Sequence, residues 1–312
     1  MTLKWNLYEP SRHLSRSEIY PPDPHCPICG HVGPRQTRQA LQEDPDIELL
    51  SCPHCFGLSA SQMPRREVLD AIYASYYADH GGDAGVIFQD PSRLARHILA
   101  MSKPIARRNG EFRIVDFGGG SGVIARAVGN LVADRTCRSV LVQVIDYGDA
   151  PKSREGAVEM HFFRDLSVAA TQCDLVIASG SLEHVPDLAL VLPALVGKLR
   201  SGGLFYARTS YFLPLMKIFG FDMNFPAHVH DLGDQFWGRV PNWLPMDIAV
   251  SRPSIVESSW DKDLMRTLVA HCLKLPARIE SLWTRNPFFK LYGGWEVMLR
   301  RRPCLETPKA GQ

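Results

Sequence analysis

Four of the chain's eight cysteines fall into two Cys-x-x-Cys turns, Cys26-Pro27-Ile28-Cys29 and Cys52-Pro53-His54-Cys55, with 22 residues between them. Such a turn brings two sulfurs to one point, and two turns together supply the four tetrahedral thiolates that suit a zinc ion. With four protein ligands no coordination position stays open, so this metal would be structural. His25, His31 and His54 stand beside the turns as alternative ligands or as flanking polar residues. A segment this small cannot bury a core of its own, and metal binding would supply its folding free energy. Cys137, Cys173, Cys272 and Cys304 are isolated and have no assigned role.

A second group of residues can hold a ligand. Asp116-Phe117-Gly118-Gly119-Gly120-Ser121-Gly122 directly follows a short apolar run, and glycines there let the backbone approach a ligand closely. Dinucleotides and S-adenosylmethionine both use such turns, and Gly120-Ser121-Gly122-Val123-Ile124-Ala125 also fits the dinucleotide pattern. Asp116 discriminates between them. A carboxylate at that strand tip would repel a pyrophosphate, but it suits a ligand carrying an ammonium and a sulfonium. Asp146 ends the next apolar run, where a carboxylate can accept hydrogen bonds from ribose hydroxyls. Asp165 stands where an adenine amino group could be met, or where an acid simply caps a turn.

The third group comprises histidines. Ser179-Gly180-Ser181-Leu182-Glu183-His184-Val185 follows a fourth apolar run, at the sheet edge where open α/β folds bind ligands. Histidine titrates near neutral pH, so His184 is the leading candidate to take a proton from an acceptor. His228 and His230 share one short turn, Phe225-Pro226-Ala227-His228-Val229-His230-Asp231, and are candidates for the same work. Asp231 or Asp234 would cap a helix beginning near Gln235.

The elements that must position these residues follow from patterning. Ile47–Ser51 reads as a strand leading into the second cysteine turn. Val68, Ile72, Tyr76 and Tyr77, then Leu94, Ile98, Leu99 and Met101, recur at helical spacing, with the loop His80–Gly85 between them. Strands are expected at 113–117, 140–146, 160–163, 174–179 and 203–208, with helices at about 122–132 and 189–199. Weaker signals place a strand near Ser254–Glu257, a helix at Asp261–Leu273 and a last strand at Trp295–Arg300. Alternating strands and helices predict a doubly wound, mostly parallel α/β sheet. The expected organisation is a zinc-ribbon module (1–62), a helical connector or lid (63–110), an α/β domain (111–302) with a cap insertion (211–247), and a tail (303–312). Tyr211, Phe212, Phe219, Phe221, Phe225, Phe236, Trp237 and Trp243 make that insertion aromatic, as a cap over an acceptor pocket or as a packed lobe.

The Asp116–Gly122 turn, Asp146, the Leu182–Val185 loop and Gly202-Gly203 together resemble class I S-adenosylmethionine-dependent methyltransferases over roughly Glu111 to Tyr211. A narrower resemblance adds the Cys26–Cys55 module and Tyr73-Ala74-Ser75-Tyr76-Tyr77, an arrangement similar to sugar and natural-product methyltransferases. It implies a seven-stranded Rossmann-like sheet. It also implies S-adenosylmethionine held by Asp116, Gly118, Gly119, Gly120, Gly122, Asp146, Asp165, Ser179 and Gly180, with Cys26, Cys29, Cys52 and Cys55 on zinc. The acceptor would be a small molecule, a sugar or glycan among the candidates.

Composition sets the outer bounds. The 312 residues are 45% hydrophobic and 22% charged, which is the composition of a folded chain. A net charge of +2 and the absence of a dense basic face argue against a nucleic-acid partner, and so against an RNA methyltransferase. The intact Asp116, glycine turn and Asp146 argue against a non-catalytic relative. Asp116 also disfavours a nucleotide-linked dehydrogenase. The longest apolar stretch, Leu188–Leu199, is too short to span a bilayer, and the N-terminus carries no secretory pattern. The expected setting is therefore cytoplasmic, where thiols stay reduced.

Overall fold

The computed structural model describes residues 12–79, 91–102, 110–136, 138–146, 152–209, 223, 225–254 and 294–303. The His80–Gly85 loop, the Asp261–Leu273 helix, Tyr211, Phe212, Phe219, Phe221, Cys137, Cys272, Cys304 and the tail beyond 303 lie outside the described residues.

The N-terminal region forms an antiparallel meander of β1 (Gln36–Gln42) and β2 (Ile47–Ser51), which lie between the two cysteine turns, and β3 (Leu58–Ala60), which follows the second turn. β2 alternates buried Ile47, Leu49 and Ser51 with half-buried Glu48 and Leu50, the period of two that one covered face requires. Only this strand was legible in the sequence. Two helices follow, α1 (Arg66–Asp79) and α2 (Pro91–Met101).

The remainder builds one eight-stranded sheet. Its members are β4 (Phe112–Phe117), β5 (Val140–Ile145), β6 (Ser153–Glu155), β7 (Val158–Phe163), β8 (Cys173–Ser179), β9 (Leu199–Thr209), β11 (Met246–Pro253) and β12 (Trp295–Arg301). The spatial order is β11-β12-β9-β8-β4-β5-β7-β6. β7, β5, β4, β8 and β9 are mutually parallel, while β12 runs antiparallel to both β9 and β11. Six of the seven expected strands are joined by β11 and by the three-residue edge strand β6, whose exposed Ser-Arg-Glu sequence carries no strand signal. β11 pairs with β12, Met246 opposite Arg301 and Pro253 opposite Trp295; residues 255–257 of the late strand expected near 254–257 lie outside the described residues.

Both faces of the sheet are covered. α3 (Val123–Thr136) and α2 pack one face through Ile98, Val128 and Val132 against Ile114, Val142 and Ile177. α4 (Leu188–Lys198) and α5 (Asp234–Arg239) cover the other, where Leu192, Phe236 and Trp237 meet Val115, Val176 and Phe205. A strand buried on both faces reads as a near-continuous apolar run, as Leu175–Ala178 of β8 does, and its one buried acid, Asp174, accepts from Arg200 Nε at 2.7 Å. The strand β10 (His230–Asp231) joins the other sheet, completing the order β1-β2-β3-β10. The cap expected for α5 is corrected: its N-cap is Gly233, Asp234 sits in the first turn, and Asp231 is buried in β10. Among the described residues, no helix is long and apolar enough to cross a membrane.

One buried acid ties α2 to the sheet edge. Glu296 on β12 is 1% exposed and accepts from His97 Nε2 at 2.9 Å, Arg252 Nε at 2.7 Å and the Tyr206 hydroxyl at 3.2 Å. Burial alone would raise its pKa, but the hydrogen bonds and charges of His97 and Arg252 outweigh it and hold the carboxyl below the usual range. Glu296→Ala removes the counter-charge and leaves buried donors behind, which is expected to cost about 3 kcal/mol. Thermal unfolding of the variant should show a drop of several degrees, and Glu296→Gln a smaller one.

Candidate functional site

The carboxyl ends of the parallel strands converge on one edge, and the glycine turn between β4 and α3 lies at its centre. Asp116 is the penultimate residue of β4, level with Val144 on β5 and Ile177 on β8. Its side chain points under the turn and is only 3% exposed. A methyl group at Gly119 would overlap the Asp116 carboxylate, and one at Gly118 would overlap Ser181. Gly122, at φ +73°, is pressed against Met160 and Val144, with no room for a side chain. Gly120, at φ +56°, has none of the described residues within 4 Å of where a Cβ would stand, so among them this part of the turn presents bare backbone to an open side. Its N–H donates to Asp146 Oδ2 at 2.7 Å, bringing the acid at the end of β5 against the turn.

Among the described residues, Asp116 is a buried acid without a matching cation, and its Oδ2 has no hydrogen-bond partner. Burial, followed by repulsion from Asp146, pushes its pKa up to about 7, and a hydrogen bond from the Ala125 N–H offsets this only in part. A buried carboxylate oxygen beneath an open glycine turn fits a ligand that brings an ammonium group. Asp165, by contrast, is exposed and accepts from the Ser167 N–H at 2.7 Å, capping a 3-10 turn at Leu166–Val168. This hydrogen bond lowers its pKa. Ser179 and Gly180 are half-buried at the end of β8, where the Gly180 N–H donates to the Arg208 carbonyl at 2.7 Å.

The histidines gather on the 3-10 turn Leu182–His184 and on the strap 225–231 packed over it. The His184 ring hydrogen-bonds through Nδ1 to the Ala227 carbonyl at 2.8 Å, which leaves Nε2 as the proton-accepting nitrogen. The His228 ring meets it edge-on at 4.5 Å, and the Tyr73 ring does so from α1 at 5.8 Å. Tyr73 also donates its hydroxyl to Ala227 O at 3.3 Å. Burial and the neighbouring His184 push the pKa of His228 well below its ordinary value. His230 is fully buried, pushed down to about 4 by burial, and hydrogen-bonds through Nε2 to Val185 O at 2.7 Å. A carboxylate oxygen of Glu183 and ring nitrogens of His184 and His228 all lie within 4.8 Å of one another. Sequence reasoning named the two histidines but passed over Glu183, although an acid beside a histidine in a ligand-edge loop was a readable signal. Tyr73 entered the reading only within the Tyr73–Tyr77 run of the family resemblance.

The four cysteines also converge. The Sγ atoms of Cys26 and Cys55 are 3.9 Å apart, as are those of Cys29 and Cys52, and all four lie within 4.8 Å of one another. The edge of a tetrahedron of thiolates around a metal at about 2.3 Å has nearly this length. Hydrogen bonds from Cys29 and Cys55 favour the Cys26 thiolate, and the same bonds raise the other two thiols. Four cysteine sulfurs converging at these distances fit a tetrahedral metal ion, which would hold them as thiolates. The rings of His31 and His54 stack at 5.1 Å beside it.

A sheet of this order, with its glycine turn and acid pair, defines a nucleoside-cofactor enzyme of the Rossmann-like class. The family model described as a methyltransferase domain matches residues 87–244, just over half of the chain. The chain therefore belongs to the methyltransferase-domain family and is an S-adenosylmethionine-dependent methyltransferase. Among solved structures, it is similar to the [4+2]-cyclase SpnF, with 14% identity over 68% of this chain and 81% of that one and a TM-score of 0.43. It is also similar to a geranyl diphosphate methyltransferase in complex with SAM, with 14% identity, 67% and 85% coverage and a TM-score of 0.43. A Haemonchus contortus phosphoethanolamine N-methyltransferase 2 shares 12% identity, over 79% of this chain and 63% of that one, with a TM-score of 0.42. Curated proteins give no match.

Because the folded state raises the pKa of Asp116, the fold favours its neutral form. Its contribution to stability is intact below the unfolded value near pH 4 and is lost as pH rises towards 7. Asp116→Asn should therefore leave the melting temperature unchanged near pH 4 and raise it at pH 8, by the equivalent of about 1 kcal/mol or more. Melting curves across that range check the sign.

Proposed function

We propose that this enzyme methylates a hydroxyl or carbon of a small, saccharide-type metabolite, with a histidine as general base and zinc on the four cysteines. The observation that carries the donor side is the unpartnered, buried Asp116 oxygen beneath the open Gly120 backbone. When bound, S-adenosylmethionine supplies an electrophilic methyl group on a sulfonium and leaves as S-adenosylhomocysteine. Asp116 holds its ammonium, Gly118, Gly119, Gly120 and Gly122 shape the turn against it, and Asp146 takes the ribose hydroxyls. Ser179 and Gly180 line the end of β8, and Asp165 stands at the adenine end.

On the acceptor side, His184 takes the proton at Nε2 while Nδ1–H stays on the Ala227 carbonyl, which fixes the ring. His228 and Tyr73 shape the space around it, and His230 supports the loop through Val185. The low net charge supports a small acceptor over a polyanion. A reducing, cytoplasmic setting suits four metal-bound thiolates.

Titration calorimetry with S-adenosylhomocysteine tests the donor side. Binding is expected for the wild type, and a loss of about tenfold or more for Asp116→Ala, since the bond to a charged group goes. Cation binding requires the Asp116 carboxylate, so affinity should also fall about tenfold between pH 8 and pH 6. Absence of binding, or binding independent of Asp116, overturns the reading. Labelled methyl transfer to a panel of free and activated sugars tests the acceptor, and label recovered only in RNA overturns the saccharide. On an acceptor that turns over, His184→Ala should lower kcat by roughly 10²–10⁴, with donor affinity unchanged.

A further inference from the structure

The cysteine ribbon and the histidine strap form one hydrogen-bonded unit. β3 and β10 pair with Ser59 opposite His230 and Leu58 opposite Asp231. The Ala60 N–H donates to the Val229 carbonyl at 2.9 Å, and the Val229 N–H donates to the Glu183 carbonyl at 2.9 Å. Val229 is thus held from both sides, by the ribbon and by the turn that carries Glu183 and His184. Its neighbours are His228 and the Ala227 carbonyl that fixes the His184 ring.

The cysteine turns reach the same place by a second route. The Pro27 carbonyl accepts from the Ala189 N–H at the start of α4. Cys26, Ile28, Cys52 and Cys55 share one apolar core with Leu182, Leu188 and Phe236. The junction is closely packed: a methyl group at Gly57 would lie 2.6 Å from Ile28 Cδ1 and 3.3 Å from Phe236. The donor turn is anchored differently, through the register of β4 with β5 and β8.

We propose that the ribbon is a positioning element of the acceptor site: the metal-held cysteine turns fix β3, β3 fixes the 227–231 strap, and the strap sets the rings of His184 and His228. The inference rests on His184 as the acceptor-side base. Its consequence is a division of labour, in which loss of the metal or of the Ala60–Val229 bond disturbs the histidines while donor affinity stays.

The test uses the full chain with its metal content measured. Ala60→Pro deletes the N–H that reaches Val229. It is expected to speed amide exchange at 225–231 and 183–185 about fivefold or more, the scale of one lost hydrogen bond, and to shift the ¹⁵N ring resonances of His184 and His228. S-adenosylhomocysteine affinity should stay within about twofold, because the donor turn keeps its own anchors. Chelator-stripped wild type is the second arm and covers the case in which Ala60→Pro does not fold. It should give the same signature, reversed by adding zinc. Unchanged strap exchange and ring resonances in either arm overturn the proposal, as does loss of donor affinity and β4–β5 protection together with the strap. If the wild type binds no S-adenosylhomocysteine, the donor reading fails, while exchange and ring resonances still decide the positioning claim without any ligand.

Discussion

The backbone of Val229 holds two sheets together. Its N–H is committed to the loop after β8 and its carbonyl to β3, so the segment between the sheets has little freedom to shift. A buried peptide group must find partners, and here those partners belong to regions far apart in sequence. The cysteine meander is therefore no appendage. One of its faces packs on the core beside α4 and α5, and the other, through Ile47 and Ala60, packs with Val68 of α1 and with Phe225 and Val229 of the strap.

Two buried acids show how the same fold treats structural and functional charge. Glu296 is encircled by His97, Arg252 and Tyr206, and its pKa falls although it is sequestered from water. Asp116 is nearly as buried but has an acid for a neighbour, and its pKa rises. A protein selected only for stability would neutralise such a group. Leaving it uncompensated under exposed backbone is the expected cost of a site that waits for a cation.

The sheet was readable because its strands are buried on both sides, so their apolar runs declare themselves without alternation. The Asp116 turn and the cysteine turns were readable because their chemistry is local. What the sequence concealed depends on distant partners. β10 consists only of His230 and Asp231, and two residues become a strand because β3 lies beside them. β6 is an exposed edge. β11 went unread because Asp-Ile-Ala-Val-Ser-Arg is a weak signal by itself and its pairing with β12 decides its bounds. The histidines could be named but not ranked, since their separate roles come from Ala227, Met223 and Val185, which are backbone partners supplied by the fold.

The pairing of β3 with β10 also bears on how the chain is made. β10 follows β3 by about 170 residues. A growing polypeptide therefore displays the outer edge of its first sheet through the synthesis of nearly the whole α/β core, and contacts of this sequence separation form late and slowly. An unpaired edge is a template for other strands, and early metal capture would limit that hazard by holding the meander closed until its last strand arrives.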